Sequence, residues 1–239
     1  MLRPNRQTHY DRSRGGPAPA NLPDLSPNVT LLDAETDIRP SLHALTIDEL
    51  RLSGASGKST ALWVDTGRHA QTTSLHDLTP SPRVLDRIHL ARGFTAFQHH
   101  ALIRNAIAQI DATTVAFVVP AVDAPYRDSD LPRERARDLL LRVLAHLSCV
   151  PRQYNISVLV TTSGADDLAA PVNELATDIL TYRETRCGPR FEGADHDTLV
   201  YDVGDGWVQT TLAYWQQVLE MRRPLYASQD DAIQHQEVA

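Results

Sequence analysis

The sequence predicts an α/β protein with a mainly parallel central sheet, helices on both faces and a C-terminal β-hairpin. The first observation is a series of short apolar runs bounded by turn-forming residues, which is typical of strands buried in a parallel sheet. The second is that these runs alternate with segments of helical period, the pattern of a three-layer α/β/α arrangement. The composition agrees, since 42% of the 239 residues are hydrophobic and 22% are charged.

The predicted strands lie far enough apart to leave room for helices between them. After a short apolar segment that begins at Val29, the run ALWVD at 61–65 is typical of a buried parallel strand. The most strand-like run is TVAFVVPAV at 114–122. Further strands are predicted for IHLARG, ISVLVTT at 156–162, TDILTYRET and TLVYDVGDGWVQTTL, the last as a hairpin that turns at Gly204-Asp205-Gly206.

Three segments predict helices between these strands. PSPRVLDRI opens with Ser81 and Pro82, a favourable helix start. FTAFQHHALIRNAIAQI carries apolar residues at helical spacing, and RERARDLLLRVLAHLSCV places its leucines and valine on one stripe. LAYWQQVLEMRRPLYA is expected to be a closing helix that covers the sheet, with a docking helix as the alternative. RPSLHALTIDELRL mixes helix and strand signals.

The organisation predicted for the chain is one domain with two irregular ends. Residues 1–28 are rich in Pro, Gly, Asn and Arg without apolar period, so we expect a disordered basic tail. Residues 29–227 form the core domain, and the polar residues 228–239 are expected to fray. The basic tail is expected to be a solvated terminus, although such an arm can also touch nucleic acid.

Charge and cysteine content exclude several classes of protein. The net charge of −7 argues against binding of nucleic acid through bulk charge alone. Lys58 is the only lysine and aspartate outnumbers glutamate, which suggests a GC-rich genome and a halophilic source. Cys149 and Cys187, the two cysteines of the chain, form neither a metal knuckle nor a disulfide framework. No bilayer-spanning run or signal-peptide pattern is present, so we expect a cytoplasmic protein without a membrane partner.

The segment GASGKST at 54–60 contains the end of a phosphate-loop motif. In G-x-x-x-x-G-K-[ST], backbone N–H groups surround the phosphates, and the following helix directs its N-terminal dipole at the anion. Counting back from Gly57 and Lys58 places Leu52 at the first glycine, so Gly54 could serve only in a shortened loop. Because the predicted strand ALWVD follows at once, two interpretations stand. One is a turn, and the other is a nucleotide site formed by Gly54, Gly57, Lys58, Ser59 and Thr60.

The order of motifs resembles the ATPase core of the archaeal recombinase RadA and its RecA-superfamily paralogs. The resemblance joins ALWVDTG, VLDRIHLARGFTAFQHHALI, VAFVVPAVDAPYRD, the long helix and ISVLVTT, and it covers about residues 40 to 212. It implies a RecA-like α/β/α core in a family that hydrolyses ATP between subunits and forms filaments on DNA.

The same resemblance implies that this chain lacks the catalytic elements of the family. Pro120 stands where the family has its Mg²⁺-orienting aspartate, Gly67 where it has the glutamate that activates water, and Ser163 where it has the glutamine that senses the γ-phosphate. We therefore expect no catalytic residue, no metal site and no cofactor. ATP with Mg²⁺ is expected only if Lys58 and Ser59 bind nucleotide.

The two DNA-contacting loops of the family correspond to YRDSDLPRERAR and SGADDLAAPVNELATD. The first offers Arg127, Arg133, Arg135 and Arg137 to phosphates, but four acidic residues interleave with them, so a solvated helix start is the competing interpretation. The second is acidic and lacks basic and aromatic residues. The adjacent His99 and His100 point about 100° apart on a helix, which favours packing or surface roles over a shared metal ion.

Two functions follow from these observations. The first is a non-catalytic paralog that acts as an accessory or regulatory protein in DNA recombination or repair and binds a protein partner such as a recombinase. The second is an ATP-binding P-loop protein that uses Lys58 and Ser59, with or without single-stranded DNA binding.

Overall fold

The computed structural model describes residues 22–34, 36–52, 58–79, 81–185, 188–194 and 219–220, and in them strands alternate with helices. In chain order the elements are β1 (Val29–Ala34), α1 (Arg39–Leu52), β2 (Thr60–Asp65), α2 (Thr72–Leu78), α3 (Pro82–Leu85), β3 (Ile88–Arg92), α4 (Ala96–Ile107), β4 (Thr114–Val119), α5 (Ala124–Arg127), α6 (Arg133–Tyr154), β5 (Ser157–Val160), α7 (Ala170–Leu175), β6 (Asp178–Thr185) and β7 (Gly188–Glu192).

The strands form one sheet in the order β3-β2-β4-β5-β1-β6-β7. Every neighbouring pair is parallel except β6 and β7, which form an antiparallel hairpin. The prediction of an α/β protein with a mainly parallel sheet is therefore confirmed. The predicted strands at 61–65, 114–122 and 156–162 correspond to β2, β4 and β5.

Two hydrophobic layers cover the two faces of the sheet. The side chains of β2 lie alternately on the two faces of the sheet, because successive residues of a strand point in opposite directions. Trp63 packs with α1 and α2 in one cluster, whereas Leu62 and Val64 pack with α4 and α6 in the other. The arrangement is consistent with three layers, helix on sheet on helix.

The segment RPSLHALTIDELRL, whose sequence mixes helix and strand signals, forms helix α1. Most of its residues are buried, including Leu42, Leu45, Ile47 and Leu50. A helix enclosed on nearly all sides does not need a sharp apolar stripe, so its sequence carries only a weak helical period. The sequence analysis also missed α2, α5 and α7, all of which are short.

One boundary differs from the prediction, and one predicted hairpin lies outside the described residues. The chain is already packed before residue 28, because Leu22 and Leu25 are buried in the core and the Leu25 carbonyl accepts a hydrogen bond from the Ser157 hydroxyl at 3.0 Å. The tail boundary at 28 is therefore too late, and residues 1–21 lie outside the described part. The hairpin predicted at Gly204 to Gly206 also lies outside it, and the hairpin that is described, β6–β7, was not predicted.

Within the described ranges, no helix combines the length and the apolarity needed to cross a bilayer. At the C-terminal end, Leu219 is helical and buried against the core. This one position agrees with the predicted closing helix, most of which falls outside the described ranges.

Candidate functional site at the carboxyl edge of the sheet

Ligands of open α/β sheets bind outside the carboxyl ends of the parallel strands. In this protein that edge, called here the carboxyl edge, consists of the segments that follow β1 to β5: residues 36–38, 66–71, 93–95, 120–123 and 161–169.

A phosphate loop connects a strand to the helix that follows it. The first strand and helix of this form along the chain are β1 and α1, with residues 36–38 before the helix, whereas Lys58 and Ser59 of GASGKST precede the strand β2. The loop before α1 ends in an ion pair, since the Arg39 guanidinium contacts the Asp37 carboxylate at 2.6 and 2.7 Å. The backbone N–H of Arg39 also donates to Asp37 at 3.1 Å. These hydrogen bonds lower the pKa of Asp37 and so favour its charged form. The carboxylate of Asp37 therefore lies at the start of α1, where a phosphate group would otherwise bind.

A shallow cleft of about 330 Å³ opens beside this ion pair. Its walls come from the loop after β1 and the loop after β2: Thr36, Asp37, Ile38, Arg39, Arg68 and His69. Residues 36–41 contain no glycine, so the loop lacks the backbone freedom with which phosphate loops wrap an anion.

The predicted nucleotide residues lie at the opposite edge of the sheet. Lys58 and Ser59 immediately precede β2, and Thr60 is its first residue, with its N–H donating to the Thr113 carbonyl at 2.8 Å. The helix next to this segment is α1, which ends at Leu52 before it. The segment therefore follows the negative end of a helix dipole, whereas phosphate binding uses the positive end. Gly54 and Gly57 lie outside the described residues.

Asp65, the last residue of β2, organises the loop that follows it. Its side chain is fully buried, and its oxygens accept hydrogen bonds from the N–H groups of Gly67 and Ala70 (both 3.2 Å) and from Nδ1 of His69 (3.0 Å). Arg92, which pairs with Asp65 in the parallel register of β2 and β3, adds its guanidinium at 3.2 Å. Burial alone would raise the pKa of Asp65, but the hydrogen bonds outweigh it and lower that pKa well below its usual range.

Two further positions that the resemblance matches to catalytic residues of the family have structural surroundings in this protein. At Gly67, matched to the family's glutamate, an added Cβ would lie 3.2 Å from Cε1 of His69. Pro120, where the family has its metal aspartate, is buried directly after β4. It leads into Ala121, whose φ of 44° is left-handed and whose N–H donates to the Thr161 hydroxyl at 2.7 Å.

Asp123 ties the loop after β4 to the loop after β5. The fully buried carboxylate accepts hydrogen bonds from Nε of Arg127 and from the N–H of Ser163, both at 2.7 Å. Nε of Arg127 also contacts the Ser163 hydroxyl at 3.1 Å, and the guanidinium forms a two-point ion pair with Asp166 at 2.5 Å. The serine at the sensor position thus belongs to a structural network.

The four arginines predicted to bind DNA have different surroundings. Arg127 is held by Asp123 and Asp166 as described, and Arg133 pairs with Asp166 and Asp167. The loops that resemble the two DNA-contacting loops therefore neutralise each other. Arg135 lies over the Phe97 ring, 5.9 Å from its centre, and Arg137 is exposed on α6.

Two fully buried histidines were not recognised from the sequence as a pair with similar surroundings. His43 donates through Nε2 to the His69 carbonyl at 2.6 Å, and Nδ1 of His99 is hydrogen-bonded to the Tyr126 hydroxyl at 2.9 Å. Burial lowers the pKa of each to about 4. The buried position of His99 agrees with the packing role that the sequence favours. For His43, no local sequence pattern distinguishes a buried histidine from one on the exposed side of a helix.

Comparisons of the chain with protein-family models and with curated proteins give no match. Among the described residues, no group of three or more His, Cys, Asp or Glu side chains is arranged to hold a metal ion.

Proposed function

We propose that this protein is a non-catalytic paralog of the RadA/RecA type that acts in the cytoplasm as an accessory or regulatory binding protein in DNA recombination or repair. One observation carries the non-catalytic part of the proposal. The buried carboxylates at the carboxyl edge, Asp65 and Asp123, are committed to hydrogen bonds within the protein. The recombination context rests on the resemblance of residues 40 to 212 to the RadA core, within an α/β fold.

The commitment of these carboxylates has a direct chemical consequence. A carboxylate that orients Mg²⁺ must offer lone pairs to the ion or to its water shell. Both oxygens of Asp65 and both oxygens of Asp123 accept hydrogen bonds already. Recruiting either residue to a metal would break a buried network and leave donors without partners, which costs about 1–3 kcal/mol for each donor.

A binding role is favoured by strand β3, which forms one edge of the described sheet. Its neighbour β2 bonds to the backbone of Arg87 and Gly93, at either end of β3. In a parallel ladder the intervening residues alternate, so Ile88, Leu90 and Arg92 direct their backbone groups away from β2. Leu90 is also 45% exposed. An extended segment of a partner could add to this edge and cover Leu90.

The nucleotide alternative is tested by thermal unfolding of the full chain with and without ATP and Mg²⁺. We expect no rise in melting temperature for two reasons. Lys58 and Ser59 follow the negative end of α1, which is unfavourable for phosphate, and the carboxylates that would bind Mg²⁺ already accept hydrogen bonds. A rise that Lys58→Ala abolishes would refute the proposal in favour of the P-loop interpretation. Arg39→Ala is the companion variant, since a rise lost only in that variant would assign nucleotide to the cleft beside α1.

The partner proposal is tested by affinity capture with the main recombinase of the source organism as the defined bait. We expect Leu90→Asp to abolish capture, because a charge would be placed in the covered edge. Leu141→Asp is the matched control, since Leu141 on α6 is a leucine of similar exposure, 39%, away from the edge strand. No capture of the wild-type chain, or equal loss in both variants, would contradict the proposal.

A further inference from the structure

Helices α4 and α6 pack together and present a basic face that is separate from the carboxyl-edge networks. On α4 the face consists of Phe97, His100 and Arg104, at positions i, i+3 and i+7 of one helical stripe. On α6 it consists of Arg135, Arg142 and His146, at positions i, i+7 and i+11, which extend over about 16 Å of helix. We call these six residues the α4–α6 basic face.

Two ring contacts join the stripes. The Arg135 guanidinium lies 5.9 Å from the centre of the Phe97 ring, and the His100 and His146 ring centres are 6.0 Å apart. The face is therefore one continuous surface across both helices rather than two separate patches.

The cations of this face differ from those of the predicted DNA loops. Arg104, Arg135 and Arg142 are exposed, and within the described residues none of them has a carboxylate within ion-pair distance. Arg127 and Arg133, in contrast, are neutralised by aspartates. Two exposed acids of α6 lie near these arginines in sequence: Glu134 immediately precedes Arg135, and Asp138 lies between Arg135 and Arg142. Three arginines against two acids still leave the face positive in a chain whose net charge is −7.

His100 adds a pH-dependent charge. Burial, followed by the positive neighbours His146, Arg104 and Arg142, lowers the pKa of His100. A bound anion would offset that repulsion and favour protonation of the His100 imidazole. Binding of an anion to this face should therefore tighten as the pH falls.

Two exposed phenyl rings at the α4–α6 basic face indicate which class of anion binds there. Phe97 is 52% exposed, and Phe94, which immediately precedes the helix N-cap Thr95, is 77% exposed. Sites for single-stranded nucleic acid combine two components: cations that contact the phosphates and aromatic rings on which the bases stack. An acidic peptide would use the arginines but gives no comparable reason for two exposed rings at the start of α4.

We propose that the α4–α6 basic face binds single-stranded nucleic acid, with phosphates on Arg104 and Arg142 and bases stacked near Phe94 and Phe97. The site lies outside the loops that were predicted to contact DNA from the sequence. The proposal does not require the protein partner at β3 and extends the proposed function to a second kind of ligand.

The test is fluorescence anisotropy of a labelled oligo-dT with the full chain at low salt. We expect Arg104→Glu combined with Arg142→Glu to weaken binding at least about tenfold, because two phosphate contacts become repulsive. Phe97→Ala should weaken it by about 5- to 100-fold through lost stacking. Arg137→Glu reverses one charge on another side of α6 and is compared with Arg142→Glu alone; it should leave affinity within about twofold, although the sequence alone assigned Arg137 to DNA.

A second measurement follows the pH dependence. Wild-type affinity should increase as the pH falls below about 7, and His100→Gln should flatten that increase. Absence of oligo-dT binding at low salt would overturn the proposal, and so would equal loss in the Arg137→Glu control. Preferential binding of polyglutamate to the same arginines would overturn it in favour of an acidic protein ligand. Circular dichroism checks that each variant is folded.

The outcomes separate this proposal from the proposed function. Leu90→Asp should leave oligo-dT anisotropy unchanged, and the double arginine variant should leave capture by the recombinase unchanged. Either site can therefore fail without the other.

Discussion

Acidification should destabilise this protein through two buried histidines. His43 and His99 are both fully buried, and each has one ring nitrogen without a partner among the described residues, Nδ1 of His43 and Nε2 of His99. A second proton on either ring would add a buried charge near Trp63 or Tyr126. For this reason burial lowers both pKa values from 6.5 to about 4.

The sign and size follow from proton linkage. Because the folded pKa lies below the unfolded value, the unfolded chain takes up protons first, so this stability is complete above about pH 6.5 and is lost as the pH falls towards 4. At pH 5 each histidine should cost about 2 kcal/mol of the free energy of unfolding, and the two together about 4 kcal/mol. That sum is a large part of the roughly 5–15 kcal/mol by which a domain is stable.

Urea unfolding of the full chain at about pH 7.5, 6 and 5 measures this effect. We expect His43→Gln and His99→Gln each to reduce the loss of stability between pH 7.5 and 5 by about 2 kcal/mol, even if they are less stable at pH 7.5. His89→Gln, at an exposed histidine of β3, is the control and should leave the loss unchanged. If wild type and both buried-site variants lose the same free energy over this range, the reasoning is refuted.

Three further substitutions test the networks of the carboxyl edge by their effect on the free energy of unfolding. Asp65→Asn should cost about 2–4 kcal/mol because an amide cannot satisfy donors arranged around a buried carboxylate; Asp33→Asn, at an exposed aspartate, should cost less than about 0.5 kcal/mol in the same urea titration. Ala121→Gly should leave stability unchanged or raise it by up to about 1 kcal/mol, since relief of the left-handed strain exceeds the added chain entropy; a loss above 1 kcal/mol would argue against strain. Gly164→Ala should cost about 1–2 kcal/mol, because its Cβ would lie 2.8 Å from the Arg127 guanidinium; an unchanged melting temperature would show that the guanidinium moves freely.

Local signals in the sequence were sufficient for much of the fold. The apolar run of β2 and the leucine stripe of α6 each depend on residues close together in the chain, and both elements formed where periodicity predicts them. The same local reasoning identified β3, β4 and β5 as strands, and their alternation with helices predicts the parallel sheet. The strand that follows GASGKST was likewise a local inference, and Thr60 begins β2. The turn itself falls on residues 54–57, which lie outside the described part of the chain.

Long-range arrangement accounts for what the sequence could not predict. The partners of Arg127 lie both four residues away, at Asp123, and 39 residues away, at Asp166. Such a pairing exists only because β4 and β5 are neighbours in the sheet. From the sequence alone Arg127 is a cation available to DNA, whereas in the folded chain it is a structural ion pair.

The sequence by itself determined the class of the fold, the places of most strands and of the long helices α4 and α6 along the chain, and the absence of a complete phosphate-loop motif. The tertiary structure decided that Lys58 and Ser59 lie at the amino end of β2, that Asp65 and Asp123 serve internal networks, and that His43 is buried. It also brought Arg104 of α4 and Arg142 of α6 near the same His100 imidazole. The physical reason is that periodicity and turn chemistry act over a few residues, whereas burial and charge pairing depend on which elements become neighbours when the sheet forms.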